Sequence, residues 1–387
     1  MDAASGGAVR PIEVGMAGRT AREQLATDEA QPSMTASDDP LAAVAEPVDT
    51  ALRVFLAARL DELTALDPAL EPVGREIADL VTAGGKRLRP AFVYWGHRAT
   101  GADHDDGVFG PAGAVELLHT FALVHDDIMD RSAERRGRPA VHTALASTHA
   151  AEGLTGDEEW FGVGGGILAG DLAFVWADQM LDDADLPAVA LERARTVFTA
   201  LRVEVMAGQY LDLRLAGRPD AAEADARRVA LLKSGRYTVT RPLQLGAAIG
   251  GSHDLLDASL RTYGDAVGLA FQLRDDVLGL FGDPADTGKG ALEDLREGKR
   301  TVLVLRAMEL AGAAERRVLA AILGDPELDD GDADRARQIV VETGALAAVE
   351  RLLRAQQEQA HDALATVAEP ARSALHALAD LAVRRVA

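Results

Sequence analysis

The sequence predicts an all-α protein built as a single large helical bundle. From Val48 onward, apolar residues recur at steps of three and four, as they do along one face of a helix. The first such stretch contains Leu52, Phe55, Leu56, Leu60, Leu63 and Leu66. Alanine and leucine, which favour helices, dominate the chain. No alternating apolar and polar run is flanked by hairpin turn residues, so the pattern typical of strands is missing from the sequence.

The chain divides into a tail and a helical region. Residues 1–46 are rich in small and polar residues and show no sustained periodicity, which predicts a disordered tail. The predicted helices span about 48–66, 71–83, 90–100, 111–130, 166–184, 187–215, 221–250, 254–281, 299–323, 333–344, 346–366 and 369–385. Segment 146–165 is predicted to be a long surface loop with a flexible glycine-rich end. No linker follows residue 48, so residues 47–387 are predicted to form one domain.

Charge and composition exclude several classes of protein. The chain has 40 basic and 62 acidic residues, so a net charge of −22 argues against nucleic acid or an anionic membrane as the main partner. It has no cysteine, which excludes disulfides and thiolate metal sites. We see neither a signal pattern nor a continuous apolar run of about 18–20 residues. We therefore expect a cytoplasmic protein without stable membrane insertion.

The segment from His119 to His142 contains an aspartate motif at the end of an apolar run. Asp126 and Asp130 lie one turn apart on one helical face, because a helix advances about 100° per residue. Two carboxylates held this close repel each other unless a cation lies between them. Oxygen ligands of this kind suit Mg²⁺, which is usually shared with a substrate phosphate. The motif therefore predicts a magnesium site, with Asp127 between the two ligands.

A second acidic cluster ends another apolar helix. Asp275 and Asp276 follow the run FQLR, and Gln272 lies one turn before Asp275. The residue one turn after Asp275 is Gly279, so this cluster lacks a second acid at that spacing. Two such helices could meet across a cavity and together hold a metal cluster.

The chain has only four lysines against 36 arginines. They are Lys86, Lys233, Lys289 and Lys299, and each lies beside glycine or hydroxyl residues in a predicted turn or loop. A compact ammonium differs from a planar guanidinium in how it reaches a phosphate. In GGKRLRP, a glycine pair and three cations precede a helix that Pro90 opens, an arrangement that suits an anion. We see no nucleophile with a base beside it, so metal-assisted departure of a diphosphate in an apolar cavity is the predicted chemistry.

Taken together, these motifs resemble the trans-isoprenyl diphosphate synthases of the polyprenyl synthetase family. The matching stretches are GGKRLRP, DDIMD with RRG, GILAGD, GQYLDL, KSGRYT, FQLRDD and GDP…TGK…DLREGKRT. They run in the family's order from Gly84 to Thr301, and the closest likeness is to bacterial geranylgeranyl diphosphate synthases. The resemblance implies an isoprenoid synthase-like bundle around a central apolar cavity, a homodimer and about three Mg²⁺ ions.

The resemblance also implies roles for individual residues. The metal ligands would be Asp126, Asp130 and Asp275. The catalytic set would be Asp126, Asp127, Asp130, Asp275 and Lys233. Isopentenyl diphosphate would be bound by Lys86, Arg89, His119 and Arg136. The allylic diphosphate would be bound by Arg135, Lys233, Ser234, Gln272, Lys289 and Lys299. Chain length would be set by Phe121 and Ala122.

The expected reaction joins isopentenyl diphosphate head to tail with a dimethylallyl, geranyl or farnesyl diphosphate. An aromatic Phe121 before a small Ala122 resembles the pattern of C20 synthases, so geranylgeranyl diphosphate is the expected product. The alternatives are a farnesyl (C15) or longer-chain (C25 and up) synthase, a class I terpene cyclase, or a non-catalytic modulatory subunit. Gly279 departs from the family's usual DDxxD in the second motif, which puts a metal-ligand role at that position in doubt.

Overall fold

The computed structural model describes residues 39–102, 107–135, 137–252, 254–282 and 293–384. Helices form nearly all of the regular structure in these ranges, so the all-α prediction is confirmed. One short antiparallel hairpin is the exception: Glu134–Arg135 (β1) pairs with Arg138–Pro139 (β2). Two compact units divide the described residues, one of residues 39–275 with 350–384 and the other of residues 276–349.

The helices follow one another with short connections. In the first half of the chain they are α1 (Ala42–Leu66), a 3₁₀ turn (Pro68–Leu70), α2 (Glu71–Thr82), α3 (Leu88–Arg98), α4 (Phe109–Met129), α5 (Val141–Ala151), α6 (Glu158–Asp182) and α7 (Ala188–Ala216). In the second half they are α8 (Glu223–Val229), a π-helix (Ala230–Thr240), α9 (Arg241–Gly250), α10 (Asp254–Phe281), α11 (Glu293–Arg296), α12 (Val302–Leu310), α13 (Ala313–Ile322), α14 (Asp330–Glu342), α15 (Ala345–Ala363) and α16 (Ala371–Arg384).

The first helix of the larger unit begins earlier than the predicted boundary at residue 46. Helix α1 starts at Ala42, and Val44 and Val48 are fully buried one turn apart on it. The Trp95 indole donates a hydrogen bond to the Pro40 carbonyl oxygen at 2.9 Å, which holds the start of the helix against α3. Burial of these few apolar groups outweighs the polar composition around them. The predicted disorder of residues 1–38 lies outside the described residues.

The predicted loop over 146–165 is wrong, because most of it is helical. Helix α5 extends to Ala151, and α6 begins at Glu158 after Asp157, whose side chain accepts a hydrogen bond from the Trp160 amide. Glycine here serves close packing: a Cβ atom at Gly162 would lie 2.2 Å from the His142 carbonyl oxygen. The low helix propensity of glycine misled the prediction, since tertiary contact decided the outcome.

Helix α6 is also long and apolar enough to cross a membrane, by length and composition alone. Its best 18-residue window has a mean hydropathy of 1.3, and 39% of that window is buried inside the protein. Its inner face packs against α4 and α5. A core helix of a protein without membrane spans passes the same test, so this helix is weak evidence for insertion.

The smaller unit is organised around the end of α10. The Asp276 carboxylate is buried and accepts a hydrogen bond from the Val302 amide at 3.2 Å. The Arg337 guanidinium donates to the Leu280 carbonyl oxygen at 2.7 Å, which joins α14 to α10. The predicted helix over 299–323 is divided into α12 and α13 at Ala311 and Gly312.

Candidate active site

The last turns of α4 direct neighbouring aspartates of the first motif to different environments. The Asp127 side chain is 1% exposed, whereas the Asp126 side chain is 22% exposed. Asp130, the C-cap of α4, is half-buried. Because successive helical residues are about 100° apart, Asp126 and Asp130 share a face that Asp127 does not. The structure thus agrees with the prediction that Asp126 and Asp130 lie on one face of the helix.

The Asp126 carboxylate is part of a polar cluster that joins three elements of the larger unit. Its Oδ1 accepts a hydrogen bond from Gln209 Nε2 at 2.8 Å and lies 3.4 Å from Lys233 Nζ. The same ammonium donates to Asp212 Oδ2 at 2.7 Å. Lys233 therefore bridges two carboxylates, as a metal cation would, and compensates for their repulsion. We refer to these four residues as the Lys233 cluster.

Gln209 and Asp212 were not among the predicted site residues, although GQYLDL belongs to the matching motifs. Both lie on α7, three residues apart, so their side chains project from the same face. This spacing of two polar groups in an otherwise apolar segment was the signal that could have identified them. Their partners could not be read from the sequence, since Asp126 is 83 residues from Gln209.

The π-helix carries Lys233 to this position. A Cβ atom at Gly208 would lie 2.3 Å from the Lys233 backbone nitrogen, so α7 and the π-helix touch backbone to backbone. A Cβ atom at Gly235, on the same π-helix, would lie 3.0 Å from the Gly268 carbonyl carbon of α10. π-Helical turns often occur at functional sites, where the extra residue per turn redirects side chains. The glycines in GQYLDL and KSGRYT therefore serve to bring the lysine near the aspartates.

Asp127 has a different partner from Asp126. Its Oδ1 accepts hydrogen bonds from the Arg135 guanidinium, with 2.8 Å to Nε, and the hairpin β1–β2 presents that arginine. Burial raises the pKa of the Asp127 carboxyl, and the hydrogen bond and charge of Arg135 oppose that shift. The Asp127 carboxylate thus holds the Arg135 guanidinium, and the roles of both residues toward a diphosphate stay predictions.

Two of the four predicted isopentenyl diphosphate ligands contact Tyr237 of the π-helix. His119 Nδ1 lies 3.1 Å from the Tyr237 hydroxyl oxygen, and the Arg89 guanidinium stacks 4.6 Å from the Tyr237 ring centre. Arg89 also donates to Thr238 Oγ1 at 3.1 Å. Burial raises the pKa of Tyr237, which keeps its hydroxyl neutral. Lys86 is exposed, and Arg136 lies outside the described residues.

Arg87 belongs to the same basic stretch but is turned inward. It has a φ angle of 48°, in the left-handed region, and its side chain is buried. The guanidinium donates to Asp49 at 2.7 Å, to Glu116 at 2.9 Å and to the Val81 carbonyl oxygen at 3.0 Å. These contacts hold the GGKRLRP loop in place, so Arg87 is a structural cation rather than an anion ligand.

The predicted chain-length residues lie on α4 before the aspartates. Phe121 is buried and packs edge to face against Phe174 of α6, with ring centres 5.0 Å apart, and against His125. Ala122 is half-buried. Phe121 is therefore packed between α4 and α6, and its role in chain length stays a prediction.

Comparison with known proteins decides the family. The sequence family described as polyprenyl synthetase matches residues 71–340. The chain belongs to the polyprenyl synthetase family. The fold is similar to the crystal structure of geranylgeranyl pyrophosphate synthase from Corynebacterium glutamicum, complexed with isoprenyl diphosphate and magnesium. That comparison gives a TM-score of 0.84 at 37% identity and covers 88% of this chain and 98% of the other.

Curated relatives in the polyprenyl synthetase family make products of different lengths. The chain is 35% identical to geranylfarnesyl diphosphate synthase of Aeropyrum pernix, over 79% of this chain and 92% of the relative. It is also 35% identical to (2E,6E)-farnesyl diphosphate synthase of Mycobacterium bovis, over 62% of each chain. Sequence similarity thus establishes the family without selecting one chain length.

Other predicted ligands of this polyprenyl synthetase lie on separate elements. Gln272, Asp275 and Ser234 are half-buried, on α10 and the π-helix, and all lie in the larger unit. In the smaller unit, Lys299 Nζ lies 3.3 Å from Asp294 Oδ1 and forms an ion pair with Glu297. Lys289 lies outside the described residues. Within the described ranges, no three acidic or histidine side chains form a group that could hold a metal on their own.

Proposed function

We propose that this enzyme, a prenyltransferase, condenses isopentenyl diphosphate head to tail with an allylic diphosphate and releases diphosphate. The observation that carries the proposal is the Lys233 cluster, in which an ammonium lies beside the partly exposed Asp126 of a DDxxD motif. That arrangement offers both a cation for a diphosphate and carboxylates for a metal. Family membership and the magnesium and isoprenyl diphosphate in the Corynebacterium glutamicum relative support it.

The donor set fits Mg²⁺. Asp126 and Asp130 offer hard carboxylate oxygens at the C-terminal end of α4, where the helix dipole also favours a cation. Mg²⁺ usually takes only one or two carboxylates and fills its remaining positions with water and substrate phosphate. We propose that these two residues and Asp275 hold three ions with the allylic diphosphate. The bound ions would neutralise the charge that develops on the departing diphosphate.

The protein's own side chains would divide the remaining work. Lys233, with Arg135, Ser234, Gln272, Lys289 and Lys299, would bind the allylic diphosphate and keep it in place as it leaves. Arg89 and His119, with Lys86 and Arg136, would hold isopentenyl diphosphate so that its double bond attacks the allylic carbon. The proton lost from the new chain would pass to the departing diphosphate. Apolar side chains around the growing prenyl product would exclude water that could react with the allylic cation.

We propose geranylgeranyl diphosphate as the product. One assay tests both the condensation reaction and the length of its product. Purified protein is incubated with labelled isopentenyl diphosphate, Mg²⁺ and each allylic primer, and products are separated by chain length. Phe121→Ala should give longer products, and Ala122→Phe shorter ones. Because Phe121 is buried against Phe174, Phe121→Leu serves as a milder variant if the alanine variant unfolds.

Each outcome of this assay separates the alternatives. A farnesyl or longer product from the native chain would replace the C20 assignment. Cyclised hydrocarbon from one allylic diphosphate would indicate a terpene cyclase, and no product with any primer would indicate a non-catalytic subunit. Unchanged products from both Phe121 and Ala122 variants would refute their role in chain length.

We further propose a cytoplasmic homodimer that associates through α6 and α7. Both helices expose apolar side chains at helical spacing: Phe161, Leu168 and Val175 on α6, and Val203, Met206, Tyr210 and Leu213 on α7. Rows spaced by three, four or seven residues are the pattern by which helices of two chains pack together. Exposed apolar patches of this kind mark interaction surfaces. A second copy of this chain offers the same two rows.

Charge placed in these rows should separate the two copies. Leu168→Asp combined with Val203→Asp should raise the dimer dissociation constant at least about tenfold, because a carboxylate would be desolvated in the interface. Sedimentation over a range of protein concentrations measures it. Val54→Asp is the matched control, since Val54 is equally exposed on α1. A monomeric native protein, or equal dissociation by the control, would contradict the proposal.

A further inference from the structure

The hairpin β1–β2 presents Arg135, a proposed ligand of the allylic diphosphate. Each strand of this hairpin has only two residues, and Arg135 pairs directly with Arg138 across it. Side chains of directly opposite residues in an antiparallel pair lie on the same face, and like charges in such a pair are destabilising. The two guanidinium groups therefore repel each other unless each is matched by a carboxylate of its own.

Two different helices supply these carboxylates. Asp127 of α4 accepts hydrogen bonds from the Arg135 guanidinium, with 2.8 Å from Nε to Oδ1. Asp79 of α2 accepts a hydrogen bond from Arg138, with 2.9 Å from Nη2 to Oδ2. One strand of the hairpin is thus held by α4 and the other strand by α2. All of these residues lie in the larger unit.

A cavity of about 70 Å³ lies beside the two arginines. Its lining includes Glu76, Asp127, Arg135 and Arg138. Glu76 lies one turn before Asp79 on α2, so the two carboxylates share a face. Burial raises the pKa of the Glu76 carboxyl, the charge of Asp79 adds to that shift, and the charge of Arg138 opposes it. Side chains do not fill this space, so the orientation of Arg135 depends on ion pairs more than on close packing.

We propose that Arg138, held by Asp79, positions Arg135 for the allylic diphosphate. The pair of Arg138 with Asp79 keeps a second positive charge away from Arg135 and holds the strand opposite it. Without Asp79, the Arg138 guanidinium would be free to turn toward Asp127 and compete with Arg135. The inference rests on the proposed function, in which Arg135 binds the allylic diphosphate, and adds two positioning residues that act through Arg135.

The Michaelis constants of the two substrates test this role separately. Arg138→Ala and Asp79→Ala should each raise KM for the native chain's best allylic primer about fivefold, the upper range for an exposed ion pair. KM for isopentenyl diphosphate should stay within about twofold of the native value. Both side chains are about half exposed, so the melting temperature should change by less than about 2 °C. Since one hydrogen bond joins Arg138 to Asp79, Arg138→Lys should keep KM for the primer within about twofold.

A double-mutant cycle shows whether the two residues act as a pair. Arg138→Ala combined with Asp79→Ala should raise KM for the primer no more than either change alone, because each removes the same contact. Arg195→Ala is the matched control, since Arg195 pairs with Asp182 at 2.7 Å and these side chains are 53% and 49% exposed. The corresponding values for Arg138 and Asp79 are 50% and 54%. The control should leave both Michaelis constants unchanged.

The failing outcomes are distinct. An unchanged KM for the primer in Arg138→Ala would refute the positioning role. A rise in Arg138→Ala without one in Asp79→Ala would mean that Arg138 contacts the diphosphate itself, which would overturn the proposal. Equal rises in both Michaelis constants, or a similar rise in the Arg195 control, would indicate a general loss of structure and refute it as well. If Arg135→Ala leaves KM for the primer unchanged, or the native chain forms no product with any primer, the proposed function fails instead.

Discussion

Asp126→Asn should lower kcat/KM for prenyl transfer about 10³-fold or more, with little loss of stability. The carboxylate is partly exposed and faces Lys233 and Gln209, so its removal takes away a proposed metal ligand without leaving a buried charge. Lys233 keeps its ion pair with Asp212. Steady-state kinetics with a saturating primer and denaturant unfolding measure the two quantities on the same preparation.

Asp127→Asn is the matched control, because it changes the neighbouring residue by the same chemistry. Asp127 is buried and bonded to Arg135, so the variant should lower the free energy of unfolding by about 3 kcal/mol. Its activity, measured on folded protein, should fall less than that of Asp126→Asn. Equal losses of activity with equal stabilities would show that the two aspartates do not have the separate roles assigned here.

Gly208→Ala should lower both stability and activity. A Cβ atom there would lie 2.3 Å from the Lys233 nitrogen and 2.6 Å from its Cα, and backbone cannot move aside as a side-chain tip can. Overpacking of this kind costs about 1–3 kcal/mol. A shift of about 1 Å in the lysine would lower kcat/KM about 100-fold. Thermal unfolding and kinetics at a temperature where the variant is folded separate the two effects.

Gly164→Ala provides the comparison within α6. A Cβ atom at Gly164 would have nothing within 4 Å, and the residue is helical. Alanine should therefore stabilise the protein by about 0.5–1 kcal/mol, because it loses less backbone freedom on folding. If Gly208→Ala were as harmless as Gly164→Ala, the close approach of α7 to the π-helix would be wrong.

Local sequence patterns were sufficient to predict the bounds of helices that have one clear apolar face. The predicted span 254–281 coincides with α10, and the predicted 187–215 differs from α7 by one residue at each end. The same periodicity predicted that Asp126 and Asp130 share one face of α4. Patterns failed at α6, where the glycines suggest a loop but Gly162 and Gly166 lie within a helix and leave room for the close approach of His142.

The sequence by itself determined the class of fold, the family and the residue types available for chemistry. Only the tertiary structure decided which other residues each of these groups contacts. Arg87 turned inward, Asp127 paired with Arg135, and Asp294 came to lie beside Gly279. Periodicity reports the direction of a side chain on its own helix. Periodicity carries no information about which distant residues pack against that face of the helix. Those contacts are set by the way the helices pack together.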